Sequence, residues 1–283
     1  MASEHPFVFD CQGDRLLGVL HKPDQPARIG LLILVGGPQY RVGACRQYVH
    51  LARRAASRGI AAMRFDYRGV GDSEGRYPGF QAVGPDIDAA IREFTARVPE
   101  MEGVVPWGLC EGASAILLSA VDNARVRGAV LANPWVNTRE TQAQTYLKHY
   151  YGDRLWRAET WKRLFKGEIH LGRSVRSVFD LTRKAFVKGS GNGSELPYPA
   201  RMAAGFARFS GDVLLIMSER DLVAREFDEV VSSRPEWEAF RTSSRVRRID
   251  VRDSDHTFSR TIWRDVVADA TSDFILDLAR KGC

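Results

Sequence analysis

The sequence predicts an α/β fold in which a mostly parallel, eight-stranded sheet carries helices on both faces. Short runs rich in Val, Ile and Leu recur without polar alternation, which is the pattern of strands covered on both faces. Helix-compatible segments lie between these runs, and such alternation favours parallel strands joined by helices. With 283 residues and 44% hydrophobic content, the chain can bury one large core.

The predicted strands run through most of the chain. FVFD (7–10) and LLGVLH (16–21) are separated only by CQGDR, which predicts an antiparallel hairpin at the edge of the sheet. Six more strands are predicted at 29–35, 60–66, 103–109, 126–134, 212–218 and 246–251. Helices are predicted at 45–58, 84–97, 112–122, 222–232 and 263–280.

One interval, residues 137–210, breaks this alternation. It contains no convincing strand, but it has amphipathic, aromatic-rich stretches and a Gly, Ser and Asn-rich segment at 189–199. The formal net charge is +6, and residues 138–210 hold 14 Lys and Arg against six Asp and Glu, a surplus of eight. We therefore predict a helical cap at 137–210, inserted into a core made of residues 1–136 and 211–283.

The composition disfavours several functional classes. The N-terminus does not resemble a secretory signal, and the longest apolar run, LLILV, is far short of the ~20 residues of a membrane span. The cysteines show no paired or zinc-like spacing, so we expect free thiols in the cytoplasm and no metal or cofactor. No nucleic-acid motif accompanies the positive charge, so we expect no nucleic-acid partner. The oligomeric state does not follow from the sequence.

The strongest functional signal is WGLCEGAS, residues 107–114, between a predicted strand and a predicted helix. It has the outline of the G-x-S-x-G turn that presents a hydrolase serine, with Cys110 in the place of the serine. Gly108 and Gly112 lie two residues to either side, where a side chain would collide. The alternative is that Cys110 is a small, buried and inert residue, as most free cysteines are.

Two later residues stand where this fold would place the partners of such a nucleophile. An acid and then a histidine follow the nucleophile, each on a loop after a strand. Asp221 follows DVLLIMS and His256 follows VRRIDV, and we favour Asp221 over Asp228, Asp253 and Asp255 as the acid. Because a free thiol has a pKa of ~8.5, it needs a base, which His256 would supply while Asp221 holds its tautomer.

The loop VGGPQYRVG supplies the other predicted site residues. The backbone N–H groups of Gly37 and Glu111 are the predicted oxyanion donors, although VGGP in isolation is better explained as a simple tight turn. Pro38 has no N–H, so Gln39 is the next donor, and we expect Gln39 and Tyr40 to contact the substrate. We expect the Glu111 side chain to point away, because a carboxylate beside a thiolate would oppose its formation.

Five segments carry a family resemblance, namely VGGP, FDYRGVGDSEG, GLCEGAS, SERD and DSDHTF. Together they resemble the α/β-hydrolase superfamily over nearly the whole chain. GGPQYRVG and GLCEGAS are similar to the hydrolases of bacterial exosortase A systems, and within these to the type 1 group, which carries cysteine at this turn. The resemblance implies an acyl hydrolase or transferase encoded among genes for exopolysaccharide production and protein sorting. It does not imply a particular substrate.

Two functions stay open. In the first, Cys110, His256 and Asp221 form a triad that hydrolyses or transfers the acyl group of a small ester or thioester through an acyl-enzyme. The positive charge of residues 138–210 favours a donor bound to coenzyme A or to an acidic carrier protein, although a solvated basic face explains it equally well. The second function is a non-catalytic module that binds a carrier protein or polysaccharide. The complete set of three residues argues against the second.

Overall fold

Eight strands form one sheet in the computed structural model, which describes residues 3–37, 39–136 and 196–281. The strands are β1 (Ser3–Cys11), β2 (Asp14–Lys22), β3 (Ile29–Leu34), β4 (Ala62–Phe65), β5 (Gly103–Leu109), β6 (Gly128–Ala132), β7 (Asp212–Ser218) and β8 (Val246–Val251). Their order across the sheet is β1-β2-β4-β3-β5-β6-β7-β8. The pairs β1–β2 and β2–β4 are antiparallel and the other pairs are parallel. The predicted parallel sheet with a hairpin at one edge is confirmed.

Seven α-helices cover the sheet in the described part of the chain. They are α1 (Gln47–Ser57), α2 (Gly84–Arg97), α3 (Glu111–Leu118), α4 (Tyr198–Arg208), α5 (Leu222–Ser233), α6 (Glu238–Thr242) and α7 (Thr261–Lys281). Helix α1 packs against α7, whereas α4 packs against α3 and α6. Strands β3 to β6 are buried at every residue. Because successive side chains point to opposite faces, both faces of the central sheet are covered.

Most of the predicted cap lies outside the described residues, which omit 137–195. The last part of that interval forms α4, whose Met202 and Phe206 are fully buried in the hydrophobic core. Gly205 lies so close to α3 that a Cβ there would overlap the carbonyl oxygen of Leu117. Helix α4 is therefore held tightly against the core, and the cap itself stays a prediction. None of the helices in the described ranges has the length and apolar character needed to cross a membrane.

A buried charge network fixes the loops that follow β3 and β4. Asp66 is fully buried and accepts hydrogen bonds from the Arg41 N–H at 2.6 Å, from the Arg41 guanidinium and from the Asp72 N–H at 3.2 Å. Arg68 pairs with the buried Asp86 at 2.9 Å. Buried charges are stable only when paired and hydrogen-bonded in this way. The segment RFDYRGVGDSEG is thus structural, and it ties the loop after β4 to the loop after β3.

Candidate active site

Cys110 lies in the tight turn between β5 and α3, with backbone angles φ 58° and ψ −122°. An L-residue rarely adopts such angles, and strain of this kind is found mostly at functional sites. A Cβ on Gly108 would lie closer than 3.0 Å to the main chain of Gly112, and one on Gly112 would lie 2.9 Å from the carbonyl oxygen of Leu34. The turn therefore requires both glycines. The Cys110 thiol is partly exposed rather than buried.

His256 and Asp221 lie beside Cys110. The Nδ1 atom of His256 is 2.6 Å from Oδ2 of Asp221, and the Cys110 side chain is close enough to interact with the ring. Asp221 is the N-cap of α5, where its Oδ1 accepts the Val223 N–H at 3.1 Å. Both carboxylate oxygens are therefore used. The structure brings together the three side chains that the sequence predicts as a group.

The electrostatics of this group favour a protonated His256. Burial lowers the pKa of His256, but the hydrogen bonds and charges of Asp221 and Cys110 outweigh burial and raise it to about 10. Opposite charges at hydrogen-bonding distance stabilise the charged form of a side chain. An imidazolium next to Cys110 is thus the favoured state at neutral pH, and it would stabilise a negative charge on the sulfur.

The competing carboxylates are engaged elsewhere. Asp228 pairs with Arg248 at 2.6 Å, and Asp253 pairs with Arg220. Asp255 accepts two backbone N–H groups further along its own loop, at 3.2 and 3.0 Å, and these bonds help to lower its pKa against the opposing effect of burial. Asp221 is the carboxylate that contacts the His256 ring.

Asn133 stabilises the loop after β8 that carries His256. This residue was not identified by the sequence analysis. It is fully buried after β6, where its Nδ2 donates to the carbonyl oxygen of His256 at 3.0 Å and to Oγ of Ser218 at 2.8 Å. Its Oδ1 accepts the Ser218 N–H at 2.8 Å, and Ser218 Oγ donates to the Asp255 carbonyl at 2.9 Å. An asparagine directly after the apolar run GAVLA was the available signal, because a buried amide needs partners.

Gly37 and Glu111 meet on the other side of the turn. Gly37 has φ 59°, and its N–H donates to Oε2 of Glu111 at 3.1 Å. The expectation that the Glu111 side chain points away is therefore wrong. A carboxylate in the first turn of a helix is attracted to unpaired N–H groups, and here Gly37 supplies one. Burial raises the pKa of Glu111, and the bond from Gly37 opposes this effect.

Gln39 and Tyr40 differ in how accessible they are. The Gln39 side-chain oxygen accepts the Ala44 N–H at 3.3 Å and the Gln47 amide at 3.4 Å, so it stabilises its own loop. Tyr40 is 44% exposed, and the Arg41 guanidinium lies 5.7 Å from its ring centroid. Contact of either residue with a substrate stays a prediction.

Two tyrosines near Glu111, Tyr77 and Tyr198, were also not identified by the sequence analysis. Burial and the nearby charge of Glu111 raise the pKa of Tyr77 to about 12. Burial, together with several negative groups that include Glu111 and Cys110, raises the pKa of Tyr198. Tyr198 packs edge-on against Phe80 with ring centroids 5.4 Å apart. These tyrosines lie in segments far apart in the sequence, so no local pattern connects them to the site.

The arrangement suits acyl chemistry. It combines a thiol, an imidazole held by a carboxylate, and backbone N–H groups at a helix start, which together can bind and attack a carbonyl group. Within residues 3–37, 39–136 and 196–281, no cluster of three or more His, Cys, Asp or Glu side chains is placed to hold a metal ion.

Comparisons with known proteins agree with the fold. The esterase Pf2001 of Pyrococcus furiosus superimposes with a TM-score of 0.66 at 13% identity, over 98% of this chain and 93% of that chain. Est1E from Butyrivibrio proteoclasticus with ferulic acid bound gives a TM-score of 0.62 at 14% identity, over 96% and 98%. Mouse alpha/beta hydrolase domain-containing protein 10 gives 0.61 at 15% identity, over 97% and 99%. No curated protein sequence matches the chain.

The family follows from the sequence match together with this fold. A family model described as serine aminopeptidase, S33, matches residues 31–173, which is half of the chain. The matched region contains most of β3, all of β4, β5 and β6, and the turn at Cys110. The chain therefore belongs to the serine aminopeptidase S33 family of α/β-hydrolases.

Proposed function

We propose that the chain is an acyl hydrolase or acyltransferase that uses Cys110 as its nucleophile. The observation that supports this most is the strained backbone of Cys110 together with the neighbouring His256, whose ring is held by Asp221 at 2.6 Å. Such strain costs of order 1–3 kcal/mol. A purely structural cysteine would gain nothing in return, whereas a nucleophile gains exposure at the end of β5.

The proposed reaction has two steps. The reaction starts with the proton of Cys110 already on His256 as an imidazolium; the sulfur then attacks the carbonyl carbon, and the N–H groups of Gly37 and Glu111 stabilise the oxyanion. As the tetrahedral intermediate collapses, the bond to the leaving group breaks and His256 gives it the proton. The acyl group is left as a thioester on Cys110. Water or an acceptor then attacks this thioester, with His256 again acting as base and Asp221 stabilising the imidazolium.

The proposed substrate is a small ester or thioester. The structurally similar esterase Pf2001 and Est1E, which has ferulic acid bound, support an ester. A cysteine nucleophile favours exchange between thioesters, since its intermediate is a thioester that amines and thiols attack readily. The basic residues in 138–210 support a donor carried by coenzyme A or an acidic carrier protein. The resemblance to type 1 hydrolases of exosortase A systems suggests a cytoplasmic role connected with exopolysaccharide production.

Intact-mass spectrometry tests the nucleophile. Wild type and Cys110→Ala are exposed to short acyl-coenzyme A thioesters and p-nitrophenyl esters, and adducts and turnover are recorded. We expect an acyl adduct on Cys110 that is lost in Cys110→Ala. Cys45→Ala is the matched control, because Cys45 is an exposed free cysteine and its loss should change nothing. Turnover that survives Cys110→Ala would exclude the proposed nucleophile.

A non-catalytic binding module is the second candidate. The observation that favours it is the Glu111 carboxylate on the Gly37 N–H, which leaves this oxyanion donor occupied. In that case the wild type would form no adduct with any of the donors. It would instead bind an acidic carrier protein with an affinity that Cys110→Ala leaves unchanged.

A further inference from the structure

The side chain of Glu111 occupies the place that an oxyanion would need. Its Oε2 accepts the Gly37 N–H at 3.1 Å, and each backbone N–H offers a single donor. A carbonyl oxygen of a substrate can use this donor only after Glu111 has left it. Gly37 and Glu111 are 74 positions apart in the sequence, so the contact depends on how β3 and α3 are packed.

The hydrogen-bond partner of the Glu111 carboxylate is a backbone N–H group. In the ranges that the structure describes, its hydrogen bond is with Gly37, and no basic side chain forms an ion pair with it. The titratable groups nearby are Tyr77, which the charge of Glu111 affects, and Tyr198, which both Glu111 and Cys110 affect, while Cys110 also acts on His256. Among the described residues, a partly buried carboxylate without a basic partner therefore lies on the Gly37 N–H, next to the turn that carries Cys110.

We propose that Glu111 is a specificity-determining residue that selects against acyl groups bearing a negative charge close to the reacting carbonyl. Two negative groups in a partly buried site repel each other more strongly than in water. An anionic acyl group would be repelled by the carboxylate. A neutral acyl group is not repelled, and its carbonyl oxygen has only to displace the Glu111 carboxylate from the Gly37 N–H. The catalytic part of this proposal rests on the proposed function, whereas the charge selection at Cys110 does not.

This selection is compatible with an anionic donor. In a coenzyme A or carrier-protein thioester, the phosphate groups lie on the leaving-group side, at the far end of the pantetheine arm. Any charge on the acyl group lies on the other side of the carbonyl. The acyl group is the part of the donor that enters next to Glu111. Glu111 therefore discriminates between neutral and anionic acyl groups, and it does not disfavour binding of coenzyme A or of a carrier protein.

Alkylation of Cys110 by iodoacetamide and iodoacetate tests the charge selection without requiring turnover. The two reagents have nearly the same size and differ by one negative charge. Rates at Cys110 are measured by peptide mass spectrometry, and the exposed Cys45 in the same molecule gives the intrinsic ratio of the reagents. In Glu111→Gln, which keeps the shape and an acceptor for Gly37, we expect the iodoacetate-to-iodoacetamide rate ratio at Cys110 to rise about tenfold. An unchanged ratio overturns the proposal.

Single-turnover acylation by hexanoyl- and glutaryl-coenzyme A tests the same selection in the reaction. We expect the wild type to prefer hexanoyl by about tenfold, and Glu111→Gln and Glu111→Ala to reduce this preference to about twofold. A preference retained by both variants overturns the proposal. If the wild type forms no acyl-enzyme with either donor, the proposed function fails with these donors, and the alkylation ratio still decides the role of Glu111. Thermal unfolding of both variants establishes that they are folded.

Discussion

Asp221 has two separable tasks, one in each carboxylate oxygen. Its Oδ1 caps α5 through the Val223 N–H at 3.1 Å, and its Oδ2 accepts from Nδ1 of His256 at 2.6 Å. Asparagine caps a helix as well as aspartate does, whereas alanine at an N-cap costs about 1 kcal/mol. Replacing the carboxylate by an amide in a Ser-His-Asp triad lowers kcat by about 10⁴ because the imidazole takes the wrong tautomer. Asp221→Asn should therefore lose function with its helix cap intact.

The comparison of Asp221→Asn with Asp221→Ala measures both effects. Urea unfolding should show that the alanine variant is about 1 kcal/mol less stable than the asparagine variant, which lacks only the charge. Iodoacetamide alkylation at pH 7 should show that both variants lose the enhanced reactivity of Cys110, with Cys45 in the same molecule as the reference thiol. Acyl-enzyme formation should fall by about 10⁴ in both.

Two results would refute this reasoning. If Cys110 in Asp221→Asn is alkylated as fast as in the wild type, the contact between Asp221 and His256 does not control the thiol. If the asparagine variant is as unstable as the alanine variant, the side-chain cap at position 221 does not contribute to stability as predicted.

Three further predictions concern the turn, the histidine loop and pH. Gly108→Ala should destabilise the chain by about 1–3 kcal/mol relative to the wild type in urea unfolding, because the added methyl overlaps the main chain of Gly112. Asn133→Ala should cost about 1–3 kcal/mol for each buried group left unpaired, and acyl-enzyme formation should slow because the carbonyl of His256 loses its anchor. The pKa of His256 is raised to about 10, so its protonation stabilises the fold fully below its ordinary value of 6.5. This contribution should be lost as the pH rises from 6.5 towards 10, which the difference in urea unfolding between wild type and His256→Gln at several pH values would measure.

Each of these predictions has an outcome that contradicts it. A Gly108→Ala variant that is as stable as the wild type would mean that the turn relaxes without cost. An Asn133→Ala variant that is destabilised but forms the acyl-enzyme at the wild-type rate would leave Asn133 a structural role alone. A stability difference between wild type and His256→Gln that grows as the pH rises would reverse the predicted sign.

The sequence predicts the sheet well because each strand can be recognised from the pattern of its own residues. Runs of buried aliphatic residues mark strands covered on both faces, and each central strand was recognisable from its own residues. The order of Cys110, Asp221 and His256 also has a local signal, since each follows an apolar run. Parallel strands end at the same edge of a sheet, so side chains after different strands are brought together there. The start of β1 at Ser3 was less apparent, because its first residues are exposed and pair with β2 through the backbone.

The contacts around Cys110 were decided by tertiary structure. The Glu111 carboxylate turns towards Gly37 because β3 packs beside the start of α3 and offers an N–H, which no pattern in GLCEGAS indicates. Asn133 and Tyr198 reach the site from segments well separated along the chain. The sequence by itself determined the sheet, the glycine turn and the residue types available for chemistry, since these depend on backbone geometry and hydrophobic burial. Only the packed structure decided which polar atoms meet, because that depends on distances between residues far apart in the sequence.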